Sequence, residues 1–315
     1  MVTDLMRKKD AVGFDRMGAY FMYLVLQSFT GFLNLLPLEW ALWIGRCLGR
    51  LAFRVLGSER RVALRNLQIA FGGEKSFQEL NHIARKTFSN LGMTLAEFLR
   101  MPRLDMGYYH RYARVEGWDH LNRALEAGKG VIALTFHFGN WEMPSLGASF
   151  FGYPIVALAQ RIRNPWVDRY VRRTRQSSGV TILPKRQVSR QVIDHLRQGK
   201  IVAIFVDQRE RKKSRVMVDF FGKKAPTTPS PVVFSLRTGA PMIPLFTVRE
   251  NNSHHHVIIG EPLRPHTTGE VERDLERNTE AYIKILEGMV RKHPDQYFWL
   301  HDRWGGVRRR ARRQR

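Results

Sequence analysis

The sequence predicts an α/β fold: a mixed, mostly parallel sheet flanked by helices and preceded by a helical N-terminal segment. Three observations carry this. Short, almost wholly apolar runs recur after Gly128, helical stretches separate them, and a long uncharged stretch lies near the N-terminus. Strands buried on both faces read as continuous apolar runs, and strands that alternate with helices make parallel sheets.

The runs are Val131 to Phe136, Ile155 to Leu158, Ile201 to Val206 and Met242 to Val248. Pro244 inside the last suggests an edge strand or an irregular start. Helices are expected at about 166–178, 187–198, 229–238 and 270–292. Upstream, residues 59–100 read as two helices: one ends at Gly72-Gly73, and one opens on Ser76 with Glu79 three residues on, the spacing of a capping box.

The N-terminal stretch from Met17 to Leu38 carries no formal charge, and Arg7, Lys8, Lys9 and Arg16 precede it. About 20 apolar residues suffice to cross a bilayer as a helix, and basic flanks favour the cytoplasmic side. Polar residues such as Gln27, Thr30 and Asn34 interrupt it. From Pro37 to Leu56, Arg46, Arg50 and Arg54 recur every four residues among Trp40, Trp43, Leu51 and Val55, a pattern suited to a helix in the headgroup layer. Membrane contact is expected, with a full span and a shallow insertion both open; two core helices of a soluble domain are the alternative. The organisation expected is an N-terminal membrane-associated segment (1–57), a catalytic domain (58–306) and a disordered basic tail (307–315) with six arginines between Arg308 and Arg315.

The net charge is +24, from 52 basic and 28 acidic residues. It points to an anionic partner, whether nucleic acid, acidic lipid or an acidic carrier protein. A lone cysteine, Cys47, excludes an intrachain disulfide and a cysteine zinc cluster. It lies in the amphipathic segment with no nearby base, which disfavours it as a nucleophile. The run His254-His255-His256 does not read as a metal site, because successive strand residues point to opposite faces. No metal or cofactor is expected.

Sites in open α/β sheets gather at the carboxyl ends of strands. The first strand runs into His137-Phe138-Gly139-Asn140-Trp141-Glu142. Gly139 permits a sharp turn, Asn140 is a good helix N-cap, and Glu142 would sit in the first helical turn. Across such a corner a carboxylate can bond one imidazole nitrogen, leaving the other as a general base. An ordinary turn with a structural histidine is the competing reading.

His137 to Glu142 resembles the His-x4-Glu motif of the lipid A biosynthesis late acyltransferase family, which is similar to glycerolipid acyltransferases. Further blocks follow in order: Arg161-Ile162-Arg163-Asn164-Pro165, then Arg175, then Asp207-Gln208, Phe220-Phe221-Gly222 and Thr227, and finally Pro294 to Trp304. The resemblance implies catalysis by His137 as general base, oriented by Glu142. It implies substrate binding by Arg161, Arg163, Asn164, Arg175, Asp207 and Gln208. It also implies acyl carrier protein as donor, a hydroxyl of a lipid A precursor as acceptor, and a location on the cytoplasmic face of the inner membrane, with no nucleic-acid partner. Arg169, Arg172, Arg173 and Arg175 lie on one expected helix and could grip phosphate or form a solvated face. Trp141, Phe138 and Met143 are candidates for the floor of an acyl groove. Another glycolipid acceptor, such as a phosphatidylinositol mannoside, and a non-catalytic protein that binds anionic lipid or nucleic acid are the alternatives.

Overall fold

The computed structural model describes residues 2–184, 188–211 and 214–305, with side chains from residue 16 onward. The basic tail expected at 307–315 lies outside them. In chain order the elements are α1 (Val2–Leu35), α2 (Leu38–Val55), α3 (Gly57–Phe71), α4 (Phe77–Arg100), α5 (Met106–Tyr112), β1 (Ala113–Glu116), α6 (Trp118–Glu126), β2 (Val131–Thr135), α7 (Met143–Phe150), β3 (Ile155–Ala159), α8 (Pro165–Gln176), β4 (Thr181–Pro184), α9 (Ser189–Arg197), β5 (Ile201–Phe205), β6 (Val216–Phe220), β7 (Lys223–Thr227), α10 (Ser230–Thr238), β8 (Met242–Glu250), β9 (His254–Ile259) and α11 (Val271–Lys292).

The expected α/β architecture is present. Seven strands form one sheet in the order β1-β9-β8-β2-β5-β3-β4. From β8 to β4 all neighbours run parallel; β9 returns antiparallel to β8, and β1 runs parallel to β9. The hairpin β6–β7 stands apart from this sheet. Side chains alternate across the sheet, so one run of residues feeds two cores. Ile132, Leu134, Val202 and Ile204 join the larger core with α3, α4, α9, α10 and α11, whereas Val131, Ala133, Ile201 and Ala203 join a smaller one under α6.

Pro244 does not mark an edge. β8 lies inside the sheet, between β2 and β9. The proline is tolerated because the register with β9 begins one residue later, at Leu245 opposite Ile259, and only its carbonyl is used, by the Gly260 N–H at 2.9 Å. The capping box forms as expected: Glu79 N–H donates to Ser76 Oγ at 3.3 Å, and Ser76 N–H donates to the Glu79 carboxylate at 2.8 Å.

Among the described residues no helix is long and apolar enough to cross a membrane. Two of the polar residues that interrupt α1, Thr30 and Asn34, have protein partners. The Thr30 hydroxyl bonds Leu26 O at 2.8 Å and meets Tyr170 OH of α8 at 3.0 Å, and Asn34 Nδ2 donates to Thr30 O at 2.9 Å. Tyr20 and Tyr23 lie against Trp166 at the start of α8, and Asn164 Nδ2 donates to Ala19 O at 2.9 Å. The long α1 helix is thus braced on α8.

α2 buries Leu38, Ala41, Leu42, Gly45, Gly49 and Phe53, and presents Trp40, Trp43, Leu51 and Val55 to solvent. Its inner face crosses α4 so closely that a Cβ on Gly49 would stand 2.1 Å from Phe88 O. Gly49→Val should therefore lower stability by about 1–3 kcal/mol or more, the range for overpacking a close contact. A denaturant midpoint equal to that of the parent would show that the crossing is looser than described.

Candidate active site

His137 emerges at the carboxyl end of β2, where the chain must turn between β2 and α7. Gly139 makes the turn with φ +56°, and a Cβ there would fall 1.7 Å from Thr247 O, so only glycine fits. The turn is also sewn to the C-terminal segment. Gly139 N–H donates to Gln296 O at 2.9 Å, and Phe298 N–H donates to His137 O at 3.0 Å. That segment is itself pinned by Asn66 Nδ2, which donates to Trp299 O at 2.8 Å, and by buried Arg303, which donates to Pro226 O at 2.7 Å.

The carboxylate bonded to His137 is not the expected Glu142 but Asp207. Asp207, just past the end of β5, accepts from the His137 backbone N–H at 2.8 Å with Oδ2 and meets Nδ1 at 2.8 Å with Oδ1. The sheet causes this: β2 and β5 pair with Thr135 opposite Phe205, so His137 and Asp207 are matching residues two steps beyond. Burial of Asp207 opposes its ionisation, but the His137 imidazole and its hydrogen bonds more than offset this and hold the carboxyl below its ordinary range. A proton on Nδ1, donated to that carboxylate, leaves Nε2 as an acceptor facing the cavity. Gln208 Nε2 stands 3.3 Å from it. Trp141, Phe205 and Phe298 surround the ring.

Glu142 makes no hydrogen bond to His137. It precedes α7 instead of lying in its first turn, and it receives Arg175: Nη2 to Oε1 at 2.6 Å and Nε to both oxygens at 3.1 and 3.2 Å. Trp141 Nε1 adds a third donor at 3.2 Å. A bidentate guanidinium–carboxylate pair holds both planes, so Glu142 orients Arg175 and the wall that bears it. Asn140 does not cap α7 as its N-cap residue; its Oδ1 accepts from Glu142 N–H at 3.2 Å, and its Nδ2 donates to buried Glu97 at 2.8 Å.

His137, Glu142, Arg175 and Gln208 line one cavity of about 430 Å³, whose other walls are largely apolar and include Leu95, Phe98, Leu158, Val171 and Phe205. That volume lies in the range of small-molecule sites. A smaller void of about 20 Å³ continues behind it among Thr135, Ala157 and Ala203. Arg172 also lines the main cavity, with Nε bonded to Asp168 at 2.9 Å and Nη2 buried without a partner. Arg161, Arg163 and Asn164 do not line it. The two arginines are exposed, and Asn164 caps α8, accepting from Trp166 N–H at 3.0 Å. Of the three candidate floor residues, Trp141 lines the cavity, while Phe138 and Met143 are buried in cores beside it.

The family model of bacterial lipid A biosynthesis acyltransferases matches residues 8–305. The chain belongs to this family. Across 274 residues it is 26% identical to the lipid A biosynthesis palmitoleoyltransferase of Escherichia coli (strain K12), a match covering 85% of this chain and 86% of that protein. Identity to the lauroyltransferase of the same organism is also 26%, over 83% and 84% of the two chains. A phosphatidylinositol mannoside acyltransferase of Mycolicibacterium smegmatis is 26% identical over a shorter region, 52% of this chain and 55% of that one. The protein is an acyltransferase, and several of the residues quoted from its sequence gather in space. His137 and Asp207 meet directly, Glu142 and Arg175 pair beside them, and the C-terminal block closes the turn from behind.

The lowered Asp207 carboxyl has a signed consequence. A group whose folded pKa is depressed adds stability above its ordinary value of 3.8 and loses it as pH falls through the folded value. Between pH 7 and pH 3 the parent should therefore lose more unfolding free energy than Asp207→Asn. Parallel losses in urea titrations at the two pH values would contradict the assigned pairing.

Proposed function

We propose that the protein moves a fatty acyl chain from acyl carrier protein to a hydroxyl on an acyl chain of a Kdo-bearing lipid A precursor. The observation that carries this reading is the His137–Asp207 pair, which leaves Nε2 turned to Gln208 and to a cavity with largely apolar walls. In the proposed reaction Nε2 takes the proton of the acceptor hydroxyl as its oxygen attacks the thioester carbonyl. Asp207 stabilises the imidazolium that forms. The tetrahedral oxyanion receives donors from Gln208 and Arg175, both on the cavity wall. Collapse expels the thiolate, which recovers the proton from His137, leaving an ester and a free thiol. The apolar wall takes the hydrocarbon, and the unmet donor of Arg172 faces phosphate on the donor or acceptor. The mycobacterial relatives' names support a second acceptor, a phosphatidylinositol mannoside.

The site of action we infer is the cytoplasmic face of the inner membrane. Supporting this, α1 and α2 expose Phe21, Val25, Phe32, Trp40, Trp43 and Val55, and Arg50 and Arg54 are exposed on the same α2 helix. Tryptophans with basic neighbours suit a helix lying in a headgroup layer. The 1–57 segment is then a membrane-facing platform for the 58–306 catalytic domain.

His137→Ala should abolish transfer from labelled acyl carrier protein to the lipid A precursor while leaving the melting transition in place. More than a few per cent residual activity would remove His137 from the mechanism. Sedimentation with phosphatidylglycerol vesicles should retain the protein at low salt and weaken as salt rises, and Trp40→Ala with Trp43→Ala should weaken it further. Equal recovery with neutral and anionic vesicles would defeat the platform reading.

A further inference from the structure

Glu97 lies near the end of α4, 2% exposed, outside the cavity lining. Its carboxylate is the centre of a buried polar cluster. Arg249 of β8 grips it with two bonds, Nη1 to Oε1 at 2.8 Å and a shorter one from Nη2 to Oε2. His255 Nε2 of β9 meets Oε1 at 2.9 Å, and Asn140 Nδ2 donates to Oε2 at 2.8 Å. The middle residue of the histidine run is thus turned inward to a carboxylate, while His256 faces Glu116 at 2.8 Å on the other side.

The cluster reaches the turn that bears His137 along three routes, through Thr94, Gln296 and Asn140. Arg249 Nη2 donates to Thr94 Oγ1 at 3.1 Å, and Thr94 Oγ1 donates to Gly139 O at 3.3 Å. The Arg249 backbone exchanges two bonds with the Gln296 side chain, at 2.7 and 3.0 Å, and Gln296 O receives the Gly139 N–H. Asn140 passes the hold to Glu142 N–H, and so to Arg175. Burial opposes ionisation of Glu97, but Arg249 and His255 outweigh it and bring its carboxyl down to about 2, so the charge persists at every working pH.

A buried ion pair is often no more stabilising than apolar residues of the same volume, so stability alone is a weak reason for placing one here. A satisfied polar network does fix a single geometry. We propose that Glu97 is a positioning residue, which through Asn140 and Thr94 holds the turn bearing His137 and Glu142 in the arrangement that acyl transfer needs. The inference rests on the acyl-transfer reading for its consequence, although not for its geometry.

Two variants of the full chain test it. Asn140→Ala cuts the direct link from Glu97 to the turn while leaving Glu97, Arg249 and His255 paired; Glu97→Gln removes the charge on which both the Asn140 and the Thr94 routes converge. Two readouts keep the failures apart: steady-state transfer, and the rate at which diethyl pyrocarbonate modifies His137 without substrate, followed by mass spectrometry of the His137 peptide. With Asn140→Ala the melting transition should remain cooperative, kcat should fall about 10- to 100-fold, as for a small misplacement of reacting groups, and KM should change by less than about twofold. The modification rate of His137 should shift in both variants. Unchanged kcat per folded molecule, or a loss that merely tracks the unfolded fraction, overturns the proposal. Should the parent transfer no acyl chain at all, the reaction reading fails, and the modification rate alone decides: a shift supports positioning by Glu97, and an unchanged rate refutes it.

Discussion

The pairing of β2 with β5 is the constraint on which the site depends. It places His137 and Asp207 at matching positions beyond two adjacent parallel strands, so one carboxylate takes both the backbone N–H and the ring of the same histidine. Two bonds to one residue fix position and ring orientation together. Neither residue could be displaced without breaking the register of the central strands, which are the most deeply buried part of the sheet. The rest of the site is arranged around that fixed point: aromatic rings on the imidazole, Glu142 and Arg175 on the neighbouring wall, and the C-terminal segment behind.

Much of the fold was legible because its central strands are apolar on both faces. Val131 to Thr135 and Ile201 to Phe205 need no partner information to be recognised. The strands that escaped the sequence reading are β1, β4, β6, β7 and β9, short segments that carry charged, polar or proline residues. In β9 the histidine run hides the alternation: His255 faces the core only because Glu97 and its companions supply a polar interior there. β6 and β7 likewise look like a polar loop, because Lys223 and Lys224 face water while Ala225, Pro226 and Thr227 are buried beneath the C-terminal block.

The candidate site was legible in membership more than in wiring. His137, Glu142, Arg175, Asp207 and Gln208 do come together, but Glu142 was matched with the wrong partner. Proximity in sequence suggested that Glu142 serves His137; the strand pairing that delivers Asp207 to it from 70 residues away is a tertiary fact. A signal was available, since Asp207 follows an apolar strand at the same offset at which His137 follows its own. Glu97 had no such signal. A glutamate in an amphipathic helix reads as solvent-facing, and only the arrival of Arg249 and His255 from two distant strands makes its burial tolerable. Arg161 and Arg163, by contrast, match the family pattern without reaching the cavity.

The C-terminal segment has a bearing on how the molecule comes into being. The backbone bonds that secure the turn bearing His137 are made by Gln296 and Phe298, far downstream of the turn itself. Synthesis releases the N-terminal elements first, and contacts between distant residues close late. During translation the central strands can be in place while this corner still lacks its backing, so a chain stalled short of Gln296 would join His137 to Asp207 and leave the turn after them unbraced.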